Sequence, residues 1–153
     1  MMYIAVDFDG TCVTNEFPNV GKDIGASIVL KELINNEHKI ILYTMRGIHN
    51  SDGVDELTPA VNWFKENGIE LFGINENPAD VGWWTDSRKV FAELYIDDLA
   101  LGTPLIYRSE GIFVDWLTVF INLHWMGLFK KMSMKRYEEL KQEIQQKQNN
   151  VYI

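Results

Sequence analysis

The chain opens with Tyr3-Ile4-Ala5-Val6-Asp7-Phe8-Asp9-Gly10-Thr11, the stretch that decides the fold. Its first four residues are continuously apolar, which is typical of a strand buried on both faces of a parallel sheet. Gly10 then permits a tight turn at positive φ. We therefore expect Asp7 and Asp9 at the carboxyl end of a central strand, where open α/β sheets bind their ligands. Two carboxylates this close repel each other unless a cation lies between them, so the stretch predicts a metal site.

Length, composition and charge narrow the class of protein. The chain has 153 residues, of which 46% are hydrophobic, and this is enough for one globular domain over residues 1–153. The formal net charge is −8, and because residues 130–153 carry six basic and three acidic side chains, residues 1–129 carry −11. Residues 1–129 are therefore too acidic for general nucleic-acid binding through phosphate neutralisation. A divalent cation could still let it bind phosphate compounds locally.

Several features of the sequence predict a cytoplasmic protein without membrane contact. Cys12 is the only cysteine, so no internal disulfide can form and a reducing environment is expected. The N-terminus lacks the basic segment of a secretory signal. The most apolar stretch, residues 112–129, is interrupted by polar side chains and is too short for a helix to cross a bilayer.

Apolar patterns predict a βαβ series over the first hundred residues. Short apolar runs predict strands at 3–6, 39–44, 69–74 and 91–96. Apolar residues at helical spacing predict one helix from residue 26, with Asp23 at its N-terminus, and a second behind Thr58 as N-cap, with Pro59 in the first helical position. Such a series forms a parallel sheet with right-handed crossovers.

The last third of the chain differs from the rest. Residues 113–129 are predicted to form one helix that is apolar except for a polar stripe at Asp115, Thr118 and Asn122. Such a helix has to be buried, either against the sheet or against another subunit, which would make the protein a homo-oligomer. A charged C-terminal helix with a thin apolar seam is expected to follow and to fray after Gln148.

Polar side chains follow three of the predicted strands. Asp7 and Asp9 follow the first, Thr44 the second, and Asp97 with Asp98 the fourth. In a parallel sheet these strand ends share one edge, and carboxylate oxygens without His or Cys favour Mg²⁺. One metal-bound carboxylate could attack phosphorus, and a second could transfer the protons.

Four segments resemble, in order and context, the motifs of the haloacid dehalogenase superfamily of phosphatases and phosphotransferases. The segments are Asp7-Phe8-Asp9-Gly10-Thr11, Thr44 after a hydrophobic strand, Lys89, and Tyr95-Ile96-Asp97-Asp98. The resemblance covers roughly residues 1–100, and its first motif is more specific than a lone Gly-rich loop. It implies an α/β fold, a Rossmann-like three-layer α/β/α parallel sheet with the first and fourth strands adjacent at its centre. We therefore expect a catalytic core over residues 1–110 and a helical C-terminal extension over residues 111–150.

The resemblance also implies roles for the acidic residues. By position, Asp7 is similar to the nucleophile, and Asp9 is similar to the general acid/base that also gives its carbonyl oxygen to Mg²⁺. The implied metal ligands are Asp7, Asp9, Asp97 and Asp98. Family members usually add a cap domain, but the loops after residues 11 and 74 have only about ten and thirteen residues, too few for a domain. A capless, open site is expected.

Four further residues are expected near the substrate. The resemblance implies that Thr44 binds the phosphoryl group and that Lys89 stabilises its charge. Arg46 could grip a second anionic group of the substrate or form a structural ion pair. Trp83, beside Trp84, could stack on a base or a sugar, or could cover the edge of the core.

These observations together predict a Mg²⁺-dependent phosphomonoester hydrolase that acts through an aspartyl-phosphate. Its expected partner is a phosphorylated substrate, either a small molecule or a macromolecule. Three alternatives remain: a phosphotransferase, a nucleotide or polynucleotide phosphatase of the same fold, and a non-catalytic phospho-accepting or scaffold domain.

Overall fold

A computed structural model describes residues 1–49, 53–77 and 87–151 of the chain. Its main sheet has four parallel strands in the order β3-β2-β1-β4. The strands are β1 (Tyr3–Val6), β2 (Lys39–Leu42), β3 (Leu71–Ile74) and β4 (Leu94–Ile96). The predicted α/β fold with a Rossmann-like parallel sheet is confirmed, as is the adjacency of β1 and β4. Among the described strands β4 lies at the edge of the sheet, so the implied central position holds for β1 and not for β4.

Four helices pack their apolar sides into one hydrophobic core. They are α1 (Ala26–Asn35), α2 (Leu57–Glu66), α3 (Trp116–Trp125) and α4 (Met134–Asn149). Ile4 and Val6 of β1 belong to the same cluster as buried side chains of all four helices. The opposite face of the sheet, marked by Ala5 and Ile41, is covered in the described residues by the segment around Val90. All the described helices therefore lie on one side of the sheet, and the second helix layer of the predicted three-layer arrangement is not seen among the described residues.

Carboxylates accept hydrogen bonds at the starts of the first two helices. Asp23 Oδ1 accepts from the Ser27 N–H (3.4 Å) in the first turn of α1, as predicted. For α2 the predicted start was wrong by two residues, because the helix begins at Leu57. The Thr58 N–H donates to Asp55 Oδ1 (2.9 Å), so Asp55 supplies the acceptor that was assigned to the Thr58 hydroxyl.

The prediction of a single helix over residues 113–129 is wrong. The first two residues of this stretch belong to β6 (Gly111–Val114), which forms an antiparallel hairpin with β5 (Leu105–Arg108), with Ile106 opposite Phe113. The helix itself runs only from Trp116 to Trp125. The hairpin also crosses the boundary that was predicted at residue 110. Residues 111–114 therefore belong to a strand and not to the C-terminal helices.

Asp115 separates the hairpin from α3. Its Oδ1 accepts hydrogen bonds from the N–H groups of Leu117 (3.1 Å) and Thr118 (3.2 Å), so it caps the helix instead of lying in a polar stripe along it. The helix then packs against α1 and α4, and its buried side chains are Trp116, Val119, Phe120 and Leu123. Self-association through this region stays a prediction. None of the described helices is both long enough and apolar enough to span a lipid bilayer.

Candidate functional site

Three carboxylates meet at the carboxyl edge of the sheet. Val6 is paired with Ile96 across β1 and β4, and the Asp7 N–H donates to the Ile96 carbonyl oxygen (3.0 Å). The residues that follow the two strands therefore emerge side by side. One oxygen from each of Asp7, Asp97 and Asp98 lies within 4.8 Å of the other two. The predicted convergence of these three acids is present in the structure.

The carboxylates open into a cavity of about 220 Å³. It is lined by Asp7, Asp9, Asn15, Phe17, Thr44, Met45, Arg46, Asp97, Asp98 and Leu99. Six of these residues were named from the sequence. The four that were missed are Asn15, Phe17, Met45 and Leu99. They lie in loops, whose paths depend on tertiary contacts that no local sequence pattern reports.

Thr11 holds the acid cluster together. Its buried hydroxyl oxygen lies 3.3 Å from an oxygen of Asp7 and 3.3 Å from an oxygen of Asp98, and it accepts a hydrogen bond from the Asp98 N–H (3.0 Å). A hydroxyl has one proton, so the two carboxylates share a single donor. Gly10 allows this approach, because its φ is +73° and an added Cβ would lie 2.5 Å from an Asp98 oxygen. Thr11 is part of the first motif, but the sequence pattern assigned it no role.

Two hydrogen bonds from the C-terminal third of the chain hold the turn at Gly10 and Thr11. The Val114 N–H donates to the Gly10 carbonyl oxygen (2.9 Å), and the indole N–H of Trp116 donates to the Thr11 carbonyl oxygen (2.6 Å). Both donors come from the junction between β6 and α3. The hairpin and α3 therefore help to fix the position of the turn that carries the acidic residues.

Burial and like charge set the electrostatics of the cluster. Burial, together with the nearby charges of Asp97 and Asp98, raises the pKa of Asp7 from 3.8 to about 7, although hydrogen bonds from the Phe8 N–H and Thr11 lower it in part. Burial, followed by the charge of Asp97, also raises the pKa of Asp98. A divalent cation would relieve this repulsion, because it favours the charged form of every carboxylate around it.

The raised pKa of Asp7 predicts how the stability of the metal-free protein depends on pH. The folded protein holds the Asp7 proton up to about pH 7, whereas the unfolded chain loses it near pH 3.8, so stability falls as pH rises through that window. Asp7→Asn removes the cost of holding a charged, largely buried carboxylate at high pH. In EDTA at pH 8 we expect the variant to be more stable to urea than the wild type by at most about 4 kcal/mol, with the difference shrinking towards pH 4. A variant that is less stable than the wild type at both pH values would contradict this electrostatic picture.

Asp9 lies outside the cluster of three carboxylates and pairs with Arg46. Arg46 Nε donates to Asp9 Oδ2 (2.7 Å) and Nη2 donates to Oδ1 (2.7 Å), which makes a bidentate ion pair. The other three guanidinium hydrogens are donated to the carbonyl oxygens of Pro18, Asn19 and Glu56. All five donors are thus used within the protein. Of the two roles left open for Arg46, the structure shows the ion pair.

The ion pair is also enclosed. Arg46 is 2% exposed, and its guanidinium carbon lies 5.1 Å from the ring centre of Phe8 and 5.3 Å from that of Phe17. Each carboxylate oxygen of Asp9 accepts one hydrogen bond from this buried guanidinium. The assignment of Asp9 as acid/base, and of its carbonyl oxygen as a metal ligand, stays a prediction.

Thr44 lies in the cavity, where the sequence placed it. Its N–H donates to Asn75 Oδ1 (2.8 Å), and its hydroxyl oxygen accepts from the Arg46 N–H (3.3 Å). Within the described residues the Thr44 hydroxyl donates no hydrogen bond. Its proton is therefore available to an oxygen atom that enters the cavity.

Of the two remaining predicted residues, only Lys89 lies in the described part of the chain, and the structure does not bring it to the cavity. Lys89 is exposed and does not line it, and the Lys89 ammonium lies 5.1 Å from the ring centre of Tyr95. Tyr95 packs on the Ala5 and Ile41 face of the sheet. The role of Lys89 in charge stabilisation stays a prediction. Trp83 lies outside the described residues.

The acid cluster fits Mg²⁺. The donor set is made of carboxylates, which are the hard oxygen ligands that this ion prefers. Ligand oxygens around octahedral Mg²⁺ are about 3 to 4 Å apart, so three oxygens within 4.8 Å of one another are close enough to hold one ion. Fold and site define an α/β protein with an acidic cluster suited to a divalent cation, at the carboxyl edge of a Rossmann-like sheet.

Comparisons with known proteins place the chain in a family without assigning an activity. No protein-family model matches it, and no curated protein matches it. It is similar to a solved structure, a conserved protein coded by a locus of Bacteroides thetaiotaomicron, with 30% sequence identity and a TM-score of 0.63 over 89% of this chain and 96% of that chain. The chain belongs to the same family as that conserved protein. The function proposed for this chain therefore rests on the chemistry of its site.

Proposed function

We propose that the protein is a Mg²⁺-dependent phosphomonoester hydrolase that acts through an aspartyl-phosphate on Asp7. The observation that carries the proposal is the convergence of Asp7, Asp97 and Asp98 in one cavity with Asp9 and Thr44. Asp7, Asp97 and Asp98 would hold the ion. A bound Mg²⁺ would neutralise charge on the phosphoryl oxygens and help to orient the phosphorus.

Asp7 supplies the nucleophile. Its carboxylate oxygen attacks the phosphorus, the P–O bond of the ester breaks, and the alkoxide or phenolate leaves with the bonding electron pair, to be protonated by an acid or by water. Water then attacks the phosphorus, which releases inorganic phosphate and restores the carboxylate. The Thr44 hydroxyl can donate a hydrogen bond to a phosphoryl oxygen in both steps.

Asp9 has the sequence position of the proton-transfer group, two residues after Asp7, but Arg46 holds both of its oxygens. To protonate a leaving alcohol, Asp9 has to carry a proton on one of these oxygens, and the neutral carboxyl group then loses its ionic attraction to Arg46. A phenolate leaves without a proton far more readily than an alkoxide does, so it depends less on Asp9. Aryl phosphates are therefore the appropriate first probe.

The test is the release of phosphate from p-nitrophenyl phosphate by the purified full-length protein. We expect many turnovers that stop in EDTA and return with Mg²⁺, because the carboxylates alone would repel the phosphate. Asp98→Asn should raise the Mg²⁺ concentration needed for the half-maximal rate. Asp55→Asn, which changes an acid at the start of α2, is the matched control and should leave that concentration unchanged. Absence of release, or release that persists in EDTA, would contradict the proposal.

The Arg46–Asp9 ion pair favours a second candidate, a phospho-accepting domain in which the phosphoryl group stays on Asp7. If Asp9 keeps this ion pair and does not take the proton of the attacking water, hydrolysis of the aspartyl-phosphate is slow and the reaction stops after the first step. The same assay separates the two candidates. One equivalent of p-nitrophenolate per protein indicates phospho-acceptance, and continuing release indicates hydrolysis.

A further inference from the structure

The charges around the cavity limit what a substrate can carry besides its phosphate. Four carboxylates and one guanidinium line it. The guanidinium belongs to Arg46, whose side chain is 1% exposed and whose five donors are all used within the protein. All 14 Lys and Arg residues of the sequence lie in the described part of the chain, and of these only Arg46 lines the cavity. A second anionic group would therefore find no free cationic side chain there.

Three of the four exposed residues that line the cavity are apolar, and the fourth is Asn15. Phe17, Met45 and Leu99, which we call the rim, line the cavity and are 53%, 98% and 89% exposed. They lie in three separate loops, which follow β1, β2 and β4. Apolar side chains this exposed are unfavourable in water, and their grouping around one cavity favours a binding surface there.

The size of the cavity decides how much of a substrate it encloses. Pockets that enclose whole drug-sized ligands have volumes of roughly 300 to 1,000 Å³, and this cavity has about 220 Å³. It has room for a phosphoryl group and the atoms next to it. The rest of an ester would extend out of the cavity and lie against the rim.

We infer that the substrate class is a monophosphate ester of an uncharged, apolar alcohol or phenol. The phosphoryl group enters the cavity, and the organic part rests on Phe17, Met45 and Leu99. This inference rests on the proposed hydrolase function and specifies its substrate. Esters that carry a second phosphate or a carboxylate are disfavoured, because their additional charge meets carboxylates and no unpaired cation.

Two matched comparisons of kcat/KM test the inference. Phenyl and 2-naphthyl phosphate differ mainly in apolar area, and we expect the naphthyl ester to react about tenfold faster because its second ring contacts the rim. Methyl 4-(phosphonooxy)benzoate and its free acid differ by one negative charge, and we expect the acid to react at least about tenfold more slowly. Equal values within both pairs, or a preference for the acid, would overturn the inference while leaving the hydrolase in place. No hydrolysis of any of the four esters would overturn both.

Substitutions in the rim test whether the rim causes the preference for the naphthyl ester. In the double variant Met45→Ser/Leu99→Ser the ratio of naphthyl to phenyl kcat/KM should fall to about one. Leu101→Ser is the control, since Leu101 is also fully exposed but does not line the cavity, and it should keep the wild-type ratio. Gel filtration at the assay concentration completes the test. If the wild type is a dimer and the double variant a monomer, the rim is an interface between copies and the inference is overturned.

Discussion

Replacing Asp7 by Asn is expected to lower kcat for Mg²⁺-dependent phosphate release by at least about a thousandfold, the scale seen when an enzyme loses its nucleophile. An amide oxygen is a poor nucleophile, and the substitution also removes the negative charge from one of three groups whose oxygens lie within 4.8 Å of one another. The measurement is steady-state hydrolysis of p-nitrophenyl phosphate over a wide range of Mg²⁺ concentrations. Residual activity above a tenth of the wild type would contradict the assignment of Asp7.

Asp97→Asn is the matched control for Asp7→Asn. Both variants remove one charge from the same cluster, but only Asp7 is assigned the attack on phosphorus. Loss of a metal ligand is compensated by more Mg²⁺, whereas loss of the nucleophile is not. We therefore expect high Mg²⁺ to restore much of the activity of Asp97→Asn and none of that of Asp7→Asn. Equal recovery of the two variants would show that Asp7 acts only as a ligand.

Arg46→Met is expected to reduce the free energy of unfolding by about 3–5 kcal/mol, the cost of removing one partner from a buried ion pair. The side chains of Arg46 and Asp9 are only 1% and 17% exposed, so Asp9 would be left as a largely buried charge. The carbonyl oxygens of Pro18, Asn19 and Glu56 would lose their donors as well. Urea unfolding at pH 7 measures the loss.

Two further variants separate the ion pair from a general effect of losing a cation. Arg88→Met changes an exposed arginine and should alter stability by less than about 0.5 kcal/mol. Adding Asp9→Asn to Arg46→Met should recover at least about 1 kcal/mol, because the stranded charge is then removed. If Arg46→Met and Arg88→Met cost the same, the ion pair is not buried in solution.

The strands and the acid cluster could be predicted because both follow from local patterns, whereas the adjacency of β1 and β4 was implied by the family resemblance. A short apolar run ending in Asp7 and another ending in Asp97 identify two buried strands, and parallel pairing brings their ends to one edge whatever the rest of the chain does. The apolar runs and the common direction of the strands are enough to place these acids at one edge of the sheet. The same reasoning placed Thr44 in the cavity.

The hairpin and the ion pair could not be predicted in the same way. Residues 112–114 are apolar and run almost directly into an apolar helix, so the two periodicities merge, and only the capping role of Asp115 separates them. The five acceptors of Arg46 come from residues 9, 18, 19 and 56, which are close only after folding. Sequence patterns report neighbours along an element, and these partners are spread over several loops.

The most direct test of the central claim is to look for the phosphoryl group on Asp7. Acid quenching during turnover of p-nitrophenyl phosphate, followed by digestion and mass spectrometry, should find one added phosphoryl group on the peptide that contains Asp7. The adduct should require Mg²⁺ and should be absent from Asp7→Asn. Steady Mg²⁺-dependent turnover with no adduct at any quench time, or with the adduct on another residue, would contradict the account.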